Sequence, residues 1–344
     1  MNVIEIAGRR IGDGCIPLVI AEIGINHEGN LNKAFKMVND AADCGCECVK
    51  IQTHIIEDEM VPNDVVPGNA KESIWKIMER CALSEKEERL VKEHVESKGM
   101  IFLSTPFSRA AAKRLERMRV KAYKIGSGDC NNYPLIDYVA SFGKPVILST
   151  GMNDISSIAI AVDILRKRKT PYALMHCTSI YPTPYNKVRL GAILELKKTF
   201  SDAVVGLSDH SLSNYPCLGA VALGASILAR HFTSDKSWPG PDIEISMDPP
   251  ALKDLITGSR IIFEASGGSK EILPEEKPTI DFAYACVVSI KDIKAGDKFS
   301  EDNIWVKRPG TGEIKAEHFN GLIGRTAYCD IPKDKQIKWR HIGD

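Results

Sequence analysis

The sequence predicts an α/β protein: a (β/α)8 TIM barrel of eight parallel strands, followed by a small β-rich domain. Eight short runs of apolar and β-branched residues recur between Pro17 and His231, and helical patterns separate them. This alternation is typical of βαβ units and of a parallel sheet. Eight strands fit a closed barrel better than an open doubly wound sheet, which has about six. No Gly-x-Gly-x-x-Gly follows the first run, which disfavours a dinucleotide-binding fold.

Nearly every strand-like run ends in polar residues. The runs and their polar ends are 17–21 with Glu22, 48–49 with Lys50 and Gln52, 100–103 with Ser104 and Thr105, 122–123 with Lys124 and Ser127, 145–148 with Ser149, 172–175 with His176, 203–207 with Ser208 and His210, and 225–228 with Arg230 and His231. A barrel gathers the carboxyl ends of its strands at one mouth, where enzymes of this fold do their chemistry. We therefore expect an enzyme.

Amphipathic spacing predicts the helices that connect the strands. The predicted segments are 31–42, 84–98, 109–118, 154–168, 189–199 and 248–265. The interval between the second and third strands is the longest, and its surplus residues, 53–83, are rich in charge and proline. An insertion of this length is typical of a lid or of an oligomer surface. We favour the lid.

The amino-acid composition of the chain changes after the eighth predicted helix. We predict a barrel domain over 1–265, a linker rich in glycine, proline and charge over 266–284, and a compact β-rich domain over 285–344. A domain this small buries little surface by itself. We therefore expect it to pack against a barrel, either that of its own chain or that of a neighbouring subunit. Within it, Lys307 and Arg308 lead into a Pro-Gly turn, which could serve a binding site or be a solvated basic turn.

Composition excludes several classes of protein. The 344 residues are 44% hydrophobic, enough for a sizeable core, and Lys plus Arg and Asp plus Glu are both 45. The zero net charge implies no nucleic-acid-binding surface. No apolar run approaches the about 18 residues of a membrane span, and the N-terminus lacks a signal pattern. Ten cysteines without an extracellular context fit the reducing cytoplasm, where we expect this protein.

Cys44, Cys46 and Cys48 form the one cysteine cluster. A zinc site more usually shows Cys-x-x-Cys spacing, which favours packed free thiols over a metal site here.

Two histidines at the mouth could share a metal ion. His210 and His231 end the seventh and eighth strands, which are neighbours in a barrel. Neutral imidazole suits divalent first-row metals, and carboxylates or water would complete an open shell. Two packed, hydrogen-bonded histidines are the alternative.

A group of cationic and hydroxyl side chains could bind phosphate. Lys124 and Ser127 lie in Lys-Ile-Gly-Ser-Gly, and Ser149 and Ser208 end other strands. Phosphate binds where cations and many hydrogen-bond donors converge. An ordinary strand-to-helix turn is the alternative for the Gly-Ser-Gly segment.

Each of two carboxylates at the mouth has two possible roles. Glu22 could act as a general base, or it could be a structural carboxylate held by Lys50. Asp242 follows the eighth strand in Trp-Pro-Gly-Pro-Asp and could bind hydroxyls or serve as a turn aspartate.

Taken in order, the mouth segments resemble the bacterial N-acetylneuraminate (sialic acid) synthases, of the phosphoenolpyruvate-dependent nonulosonate synthase family. The segments that carry the resemblance are Glu22-Ile-Gly-Ile-Asn-His-Glu-Gly29, Lys50-Ile-Gln-Thr-His54, Ser104-Thr-Pro-Phe107, Lys124-Ile-Gly-Ser-Gly128, Ser149-Thr-Gly-Met152, Tyr181-Pro-Thr-Pro184, Ser208-Asp-His210, Arg230-His231-Phe232 and Gly240-Pro-Asp242. The resemblance covers nearly the whole chain, and the tail is similar to the antifreeze-protein-like (SAF) domain of that family.

The resemblance implies a role for each mouth residue. Glu22, Lys50, His210 and His231 would be catalytic, with Mn²⁺ or Mg²⁺ on the two histidines. Phosphoenolpyruvate would be held by Lys124, Ser127, Ser149 and Ser208. The N-acylated mannosamine would be surrounded by Gln52, Thr105, Phe107, Asp129, Ser179, Tyr181, Asp242 and Arg308. Arg308 of the partner subunit would reach into each barrel, which implies a domain-swapped homodimer with no membrane or nucleic-acid partner.

Four positions limit the choice of sugar. Where the bacterial synthases carry Glu, Asn, Glu and His, this chain has Asp129, Ser179, Ala229 and Ile51. Losing one hydrogen-bond partner near the sugar can cost about 1–3 kcal/mol. The pocket could therefore take free N-acetylmannosamine, its 6-phosphate or a 2,4-diacetamido trideoxy sugar. We favour the free sugar because the remaining motifs are bacterial in character.

Two other functions stay open. A metal-dependent aldolase or sugar isomerase on the same barrel would use the two histidines without phosphoenolpyruvate. A non-enzymatic sugar-binding or coat-assembly module would bind carbohydrate without turnover. Phosphate release that depends on both substrates distinguishes the synthase from these.

Overall fold

The fold is a (β/α)8 barrel, followed in the sequence by a separate β-rich unit. The computed structural model describes residues 2–68 and 70–343, and the chain divides into units Met1–Gly267 and Gly268–Asp344. The strands are β1 Val3–Ile6, β2 Arg9–Gly12, β3 Leu18–Gly24, β4 Cys48–Thr53, β5 Ile101–Pro106, β6 Tyr123–Ile125, β7 Val146–Ser149, β8 Tyr172–Cys177, β9 Val204–Asp209, β10 Ile227–His231, β11 Cys286–Ser289 and β12 Ile304–Lys307.

Strands β3 to β10 form the predicted barrel. Hydrogen-bonded neighbours run in the order β5-β4-β3-β10-β9-β8-β7-β6, all parallel, and the end strands β5 and β6 pack against each other. Each strand therefore points its carboxyl end toward the same mouth. The fold class predicted from the sequence is confirmed.

Helices surround the barrel where amphipathic segments were predicted, and in several further places. They are α1 Leu31–Asp43, α2 Ile56–Glu59, α3 Ile74–Cys81, α4 Glu85–Ser97, α5 Arg109–Arg117, α6 Tyr133–Ala140, α7 Ile155–Lys167, α8 Tyr185–Val188, α9 Gly191–Thr199, α10 Tyr215–Ala222 and α11 Pro249–Ala265. Helix α12, Lys277–Ala283, belongs to the second unit. Polar caps set several starts; at α4, Ser84 and Glu87 form a capping box, each side chain accepting from the other residue's backbone N–H. Helices α2, α3, α6, α8, α10 and α12 were not predicted from the sequence.

An N-terminal hairpin closes the end of the barrel opposite the mouth. Strands β1 and β2 pair antiparallel, and Ile4, Ile6 and Ile11 pack with the apolar residues at the lower ends of the barrel strands. This hairpin was not predicted from the sequence. By burying the lower interior, it leaves the upper end as the place where polar side chains can face a cavity.

Alternation along each strand decides which side chains enter the barrel. On β3, Leu18 and Ile20 belong to the interior cluster, whereas Val19 and Ala21 belong to the outer core that packs against the helices. Side chains two residues apart share a face. Glu22 therefore points inward above Ile20, and the interior changes from apolar below to polar above.

The insertion at 53–83 folds over the first barrel loop. Helices α2 and α3 supply Ile56, Ile77, Met78 and Cys81 to a separate apolar cluster with Ile25, which follows β3. The guanidinium of Arg80 also pairs with Glu28 at 2.7 Å. The insertion is thereby held against the loop that follows β3, the position a lid requires; its movement remains a prediction.

The second unit has its own core. Strands β11 and β12 pair antiparallel, and their side chains pack with other buried residues of this unit, which include Phe299, Ile314, Leu322, Ile331 and Ile337. The segment 266–284, predicted as a linker, contains a 3-10 turn at Pro274–Glu276 and helix α12. Across the described residues, no helix is long and apolar enough to cross a membrane.

Candidate active site

A cavity of about 320 Å³ lies at the carboxyl ends of the barrel strands. It is lined by Glu22, Lys50, Gln52, Thr105, Phe107, Lys124, Gly126, Ser127, Gly128, Ser149, Met152, Cys177, Ser179, Tyr181, Ser208, His210, Ala229, Arg230 and His231. The structure thus brings together all the predicted site residues except three, Asp129, Asp242 and Arg308.

A buried ion pair forms one wall of this cavity. The Nζ of Lys50 contacts Glu22 Oε2 and donates to the Thr105 hydroxyl at 3.0 Å. Glu22 Oε1 is buried and, within the described part of the chain, has no hydrogen-bond partner. A Cβ placed on Gly24 (φ +45°) would lie 3.2 Å from that same oxygen, so glycine keeps the space beside it open. Glu22 therefore presents one free, desolvated carboxylate oxygen to the cavity.

An ammonium group and hydroxyls form another part of the cavity lining. The Nζ of Lys124 contacts the Ser149 hydroxyl and donates to the Ile125 carbonyl at 3.0 Å. Burial, reinforced by the positive charge of Lys50, lowers the pKa of Lys124 to about 7. A buried ammonium is stabilised by a bound anion, so this wall is prepared for a phosphate or carboxylate group.

Gly151 allows three side chains to converge on this wall. A Cβ at this position would lie 2.5 Å from Ser179 Oγ, 2.8 Å from Ser127 Oγ and 3.2 Å from Cys177 Sγ. Its amide donates to Ser127 Oγ at 3.1 Å. Any larger residue would displace the hydroxyls, so the loop after β7 requires glycine for steric reasons.

The two histidines lie side by side, as their strand positions predict. Their ring centroids are 5.5 Å apart, and Tyr181 stacks on His210 at 4.1 Å. His210 donates from Nδ1 to the Thr178 carbonyl at 3.0 Å, which orients the ring. Burial lowers the pKa of His231 to about 3, so this imidazole is neutral at physiological pH. Its Nδ1 lies 3.6 Å from Asp242 Oδ2.

The histidine pair fits a divalent metal ion. Neutral imidazole is the form that binds metals, and His231 Nδ1 and Glu22 Oε1 are both buried without hydrogen-bond partners among the described residues. The described ranges contain no group of three or more His, Cys, Asp or Glu side chains that could hold a metal ion by themselves. Metal binding here would therefore require oxygen ligands from substrate or water, which is typical of an open catalytic site.

Cys177 lines the cavity in place of the predicted strand-end residue His176. His176 points out of the barrel and donates from Nε2 to the Val188 carbonyl at 2.7 Å. Burial alone would raise the pKa of the Cys177 thiol, but its contact with His210 lowers it to about 7. Cys177 was not predicted as a site residue because both faces of β8 are buried and no alternation marks the inward one.

A hydrogen-bond chain behind the cavity holds Gln52. The His54 ring lies between the two side chains: its Nδ1 is 2.8 Å from Glu59 Oε2, and its Nε2 is 3.0 Å from the Gln52 side-chain oxygen. Its ring also stacks on Phe107, with centroids 4.6 Å apart. Glu59 ends α2, so the insertion reaches the cavity through His54. Neither His54 nor Glu59 was predicted as a site residue, although His54 lies only two residues beyond Gln52.

Comparison with known proteins identifies the family. Residues 37–271 match the NeuB family, and residues 284–343 match the SAF domain. The chain belongs to the NeuB family. The N,N'-diacetyllegionaminic acid synthase of Campylobacter jejuni subsp. jejuni is 36% identical over 331 residues, which cover 93% of this chain and 98% of that protein. The N-acetylneuraminate-9-phosphate synthase of Homo sapiens is 31% identical over 339 residues, which cover 96% of this chain and 94% of that protein.

A solved structure agrees with this assignment. The N-acetylneuraminic acid (sialic acid) synthetase of Leptospira borgpetersenii serovar Hardjo-bovis, in complex with citrate, is 35% identical, with a TM-score of 0.75 over 81% of this chain and 95% of that one. The protein is thus an enzyme of the NeuB sialic acid synthase family with a C-terminal SAF domain, and the family resemblance drawn from the sequence is confirmed.

Three predicted residues of this NeuB-family chain lie outside the first cavity. Asp242 lines an adjoining cavity. Asp129 is half-buried and accepts a hydrogen bond from Asn132 at 3.0 Å. Arg308 is exposed in the second unit, before Pro309. The sugar-binding roles of all three remain predictions.

Proposed function

We propose that this NeuB-family enzyme condenses phosphoenolpyruvate with an N-acylated mannosamine and water, releasing a nonulosonate and inorganic phosphate. The observation that carries this proposal is one cavity with two different sets of polar groups. Lys124, Ser149 and Ser127 supply an ammonium group and hydroxyls suited to an anion, and Glu22 and the histidine pair line the same cavity. Among possible acceptors, the sequence motifs favour free N-acetylmannosamine, whose product would be N-acetylneuraminate.

The chemistry assigns each set of groups a step. The methylene carbon of phosphoenolpyruvate adds to the aldehyde carbon of the open-chain sugar, which leaves negative charge on the aldehyde oxygen. Water then adds to the enol carbon, and Glu22 accepts one of its protons and passes it to the former aldehyde oxygen. As the carbon–oxygen bond of the tetrahedral intermediate breaks, the new hydroxyl loses its proton to the departing phosphate and becomes the keto group, so no phosphoenzyme forms. Lys124 and the serine hydroxyls orient phosphoenolpyruvate toward the aldehyde throughout.

A divalent ion, Mn²⁺ or Mg²⁺, held by His210 and His231 would polarise the aldehyde. The chain's own contribution to that step is orientation. The Thr178 carbonyl fixes the His210 tautomer, and Tyr181 holds the ring by stacking. Lys50, paired with Glu22 and bonded to Thr105, would stabilise negative charge that develops on the aldehyde oxygen.

The active form would be a homodimer with exchanged tails. We propose that Arg308 of the partner subunit completes each acceptor site. Its support is the family resemblance and the exposure of Arg308 in a unit that folds around its own core. A two-fold dimer can complete both sites reciprocally.

An acceptor panel tests the reaction. Phosphate release is measured with phosphoenolpyruvate and Mn²⁺ against N-acetylmannosamine, its 6-phosphate and a 2,4-diacetamido-2,4,6-trideoxy sugar. In ¹⁸O-labelled water, the label should enter the keto acid product and not the phosphate, because the carbon–oxygen bond breaks. Sugar conversion without phosphate release would indicate an aldolase or isomerase instead. Label in the phosphate would contradict the proposed bond cleavage.

A further inference from the structure

Asp242 reaches the catalytic site on a loop that contains no helix, residues 232–247, which we call the β10 loop. Backbone hydrogen bonds close its base: the Thr233 amide donates to the Met247 carbonyl at 2.9 Å, and the Met247 amide donates to the His231 carbonyl at 2.7 Å. Beyond this base, Asp242 Oδ2 lies 3.6 Å from His231 Nδ1. Contacts made by side chains therefore decide where the carboxylate lies relative to the barrel.

The ammonium group of Lys236 binds the backbone of this loop. Its Nζ donates to the carbonyl oxygens of Ile243, Glu244 and Ser246, each at 2.8 Å. An ammonium has three N–H donors, so all of them are used on the turn that follows Asp242. Converging backbone carbonyls are typical ligands of a bound cation, and here the cation is a side chain of the same loop.

A second contact holds the same turn from the barrel side. The buried Nδ2 of Asn26, in the loop after β3, donates to the Ser246 hydroxyl and to the Phe232 carbonyl, both at 2.8 Å. The Ser246 hydroxyl in turn donates to the backbone carbonyl of Asp242 at 2.7 Å. Ser246 is therefore fixed through its side chain by Asn26 and through its carbonyl by Lys236.

Lys236 itself is separated from the reacting groups. The residue is exposed, and it lines neither the catalytic cavity nor the adjoining cavity that Asp242 lines. Because the side chain is exposed, its replacement leaves no hole in a packed core. Replacement would leave three carbonyl oxygens of one turn without their shared charged donor, so the turn would rearrange to meet water.

We propose that Lys236 is a positioning residue for the acceptor. By holding the turn that follows Asp242, it keeps the Asp242 carboxylate beside His231; the inference rests on the proposed acceptor-binding role of Asp242. A positioned group that moves by about 1 Å can cost about 100-fold in rate. Because the Asn26 contact remains when Lys236 is replaced, we expect only part of that loss, about tenfold.

Binding of a reduced acceptor tests this inference without turnover. N-acetylmannosaminitol has no aldehyde and cannot react, so calorimetry of the enzyme with Mn²⁺ and phosphoenolpyruvate gives its Kd; if the panel ranks another sugar first, that sugar's alditol is used. Lys236→Met should raise this Kd about tenfold and leave the KM for phosphoenolpyruvate within about twofold of wild type. Lys167→Met, an exposed lysine in the last turn of α7, should match wild type.

An unchanged Kd in Lys236→Met would overturn the inference. An equal rise in the KM for phosphoenolpyruvate would also overturn it, because general damage affects both substrates. If Lys236→Met does not fold, Lys236→Gln, which keeps two N–H donors without the charge, replaces it with the same expectations.

A double-mutant cycle shows whether Lys236 acts through Asp242. Asp242→Ala removes the carboxylate and should itself raise the Kd of the alditol by at least about tenfold. Adding Lys236→Met should then change the Kd by less than about twofold, because no carboxylate remains to be positioned. A further tenfold loss in the double variant would show that Lys236 acts elsewhere and would overturn the inference.

Two outcomes separate this inference from the proposed function. If Asp242→Ala binds the alditol as tightly as wild type, the acceptor role of Asp242 is wrong and this inference fails with it. Phosphate release in the acceptor panel would then still support the condensation. No phosphate release with any acceptor would instead refute the proposed function, and this inference with it.

Discussion

Lys124→Met tests the anion-binding part of the cavity most directly. The substitution keeps most of the apolar stem and removes the ammonium group, which is buried and contacts Ser149 and the Ile125 carbonyl. A charge-assisted contact is worth about 1.5–3 kcal/mol. The kcat/KM for phosphoenolpyruvate should therefore fall roughly ten- to 150-fold, since each 1.36 kcal/mol is a factor of ten. The KM for the acceptor should change much less.

The lowered pKa of Lys124 adds two pH dependences. Because its pKa is about 7 in the folded protein, the ammonium form is lost above that pH, and kcat/KM for phosphoenolpyruvate should decline as pH rises from 7 to 9. The unfolded chain, with an ordinary lysine pKa of 10.5, binds more protons than the folded one between about pH 7 and 10.5. Lys124 therefore destabilises the fold most below pH 7, and this destabilisation fades toward pH 10.5.

Two assays separate these effects from general damage. Initial rates of phosphate release give kcat/KM for each substrate, and thermal unfolding gives stability at several pH values. Lys124→Met should have a higher Tm than wild type at pH 7, with the difference shrinking toward pH 10. Lys121→Met, an exposed lysine just before β6, is the matched control and should match wild type in both assays. Equal loss of kcat/KM for both substrates, or no loss, would refute the assignment.

Three further outcomes are expected. Chelation should abolish turnover, and Mn²⁺ or Mg²⁺ should restore it. His231→Ala should stay inactive at any metal concentration. Undiminished activity of the wild-type enzyme, at a metal content verified as negligible, would show that the metal has no role. Glu22→Ala and Arg308→Ala, each inactive alone, should regain roughly a quarter of wild-type activity when their subunits mix, because half the dimers are mixed and each has one intact site. No recovery, with heterodimers demonstrated, would exclude exchanged tails. His54→Phe keeps the ring stacking but leaves Gln52 without its partner. A lost hydrogen-bond partner costs about 1–3 kcal/mol, so kcat/KM for the acceptor should fall roughly 5- to 150-fold; an equal fall for phosphoenolpyruvate would show general damage instead.

The barrel and most of the cavity could be read from the sequence because both depend on local order. Each strand is a short apolar run, and the polar residue at its end lies at the mouth once the strands are parallel. This placed Glu22, Lys124 and His231 correctly without any knowledge of contacts. The same reading chose His176 over Cys177, because helices cover the outside of the barrel and both faces of β8 are buried. No alternation of apolar and polar residues then marks which face is inward.

The sequence by itself determined the fold class and the mouth, since apolar periodicity and strand-end chemistry are properties of neighbouring residues. The family followed from the resemblance of the ordered mouth segments to known synthases. Only the tertiary structure decided what surrounds the mouth. Three features join segments whose pairing no local pattern specifies: the hairpin that fills the lower barrel, the contact of Glu59 with His54, and the apolar cluster of α2 and α3 with Ile25. Ile25 and Ile77 meet because α3 folds back over the loop after β3, and their burial together depends on packing between segments far apart in the chain.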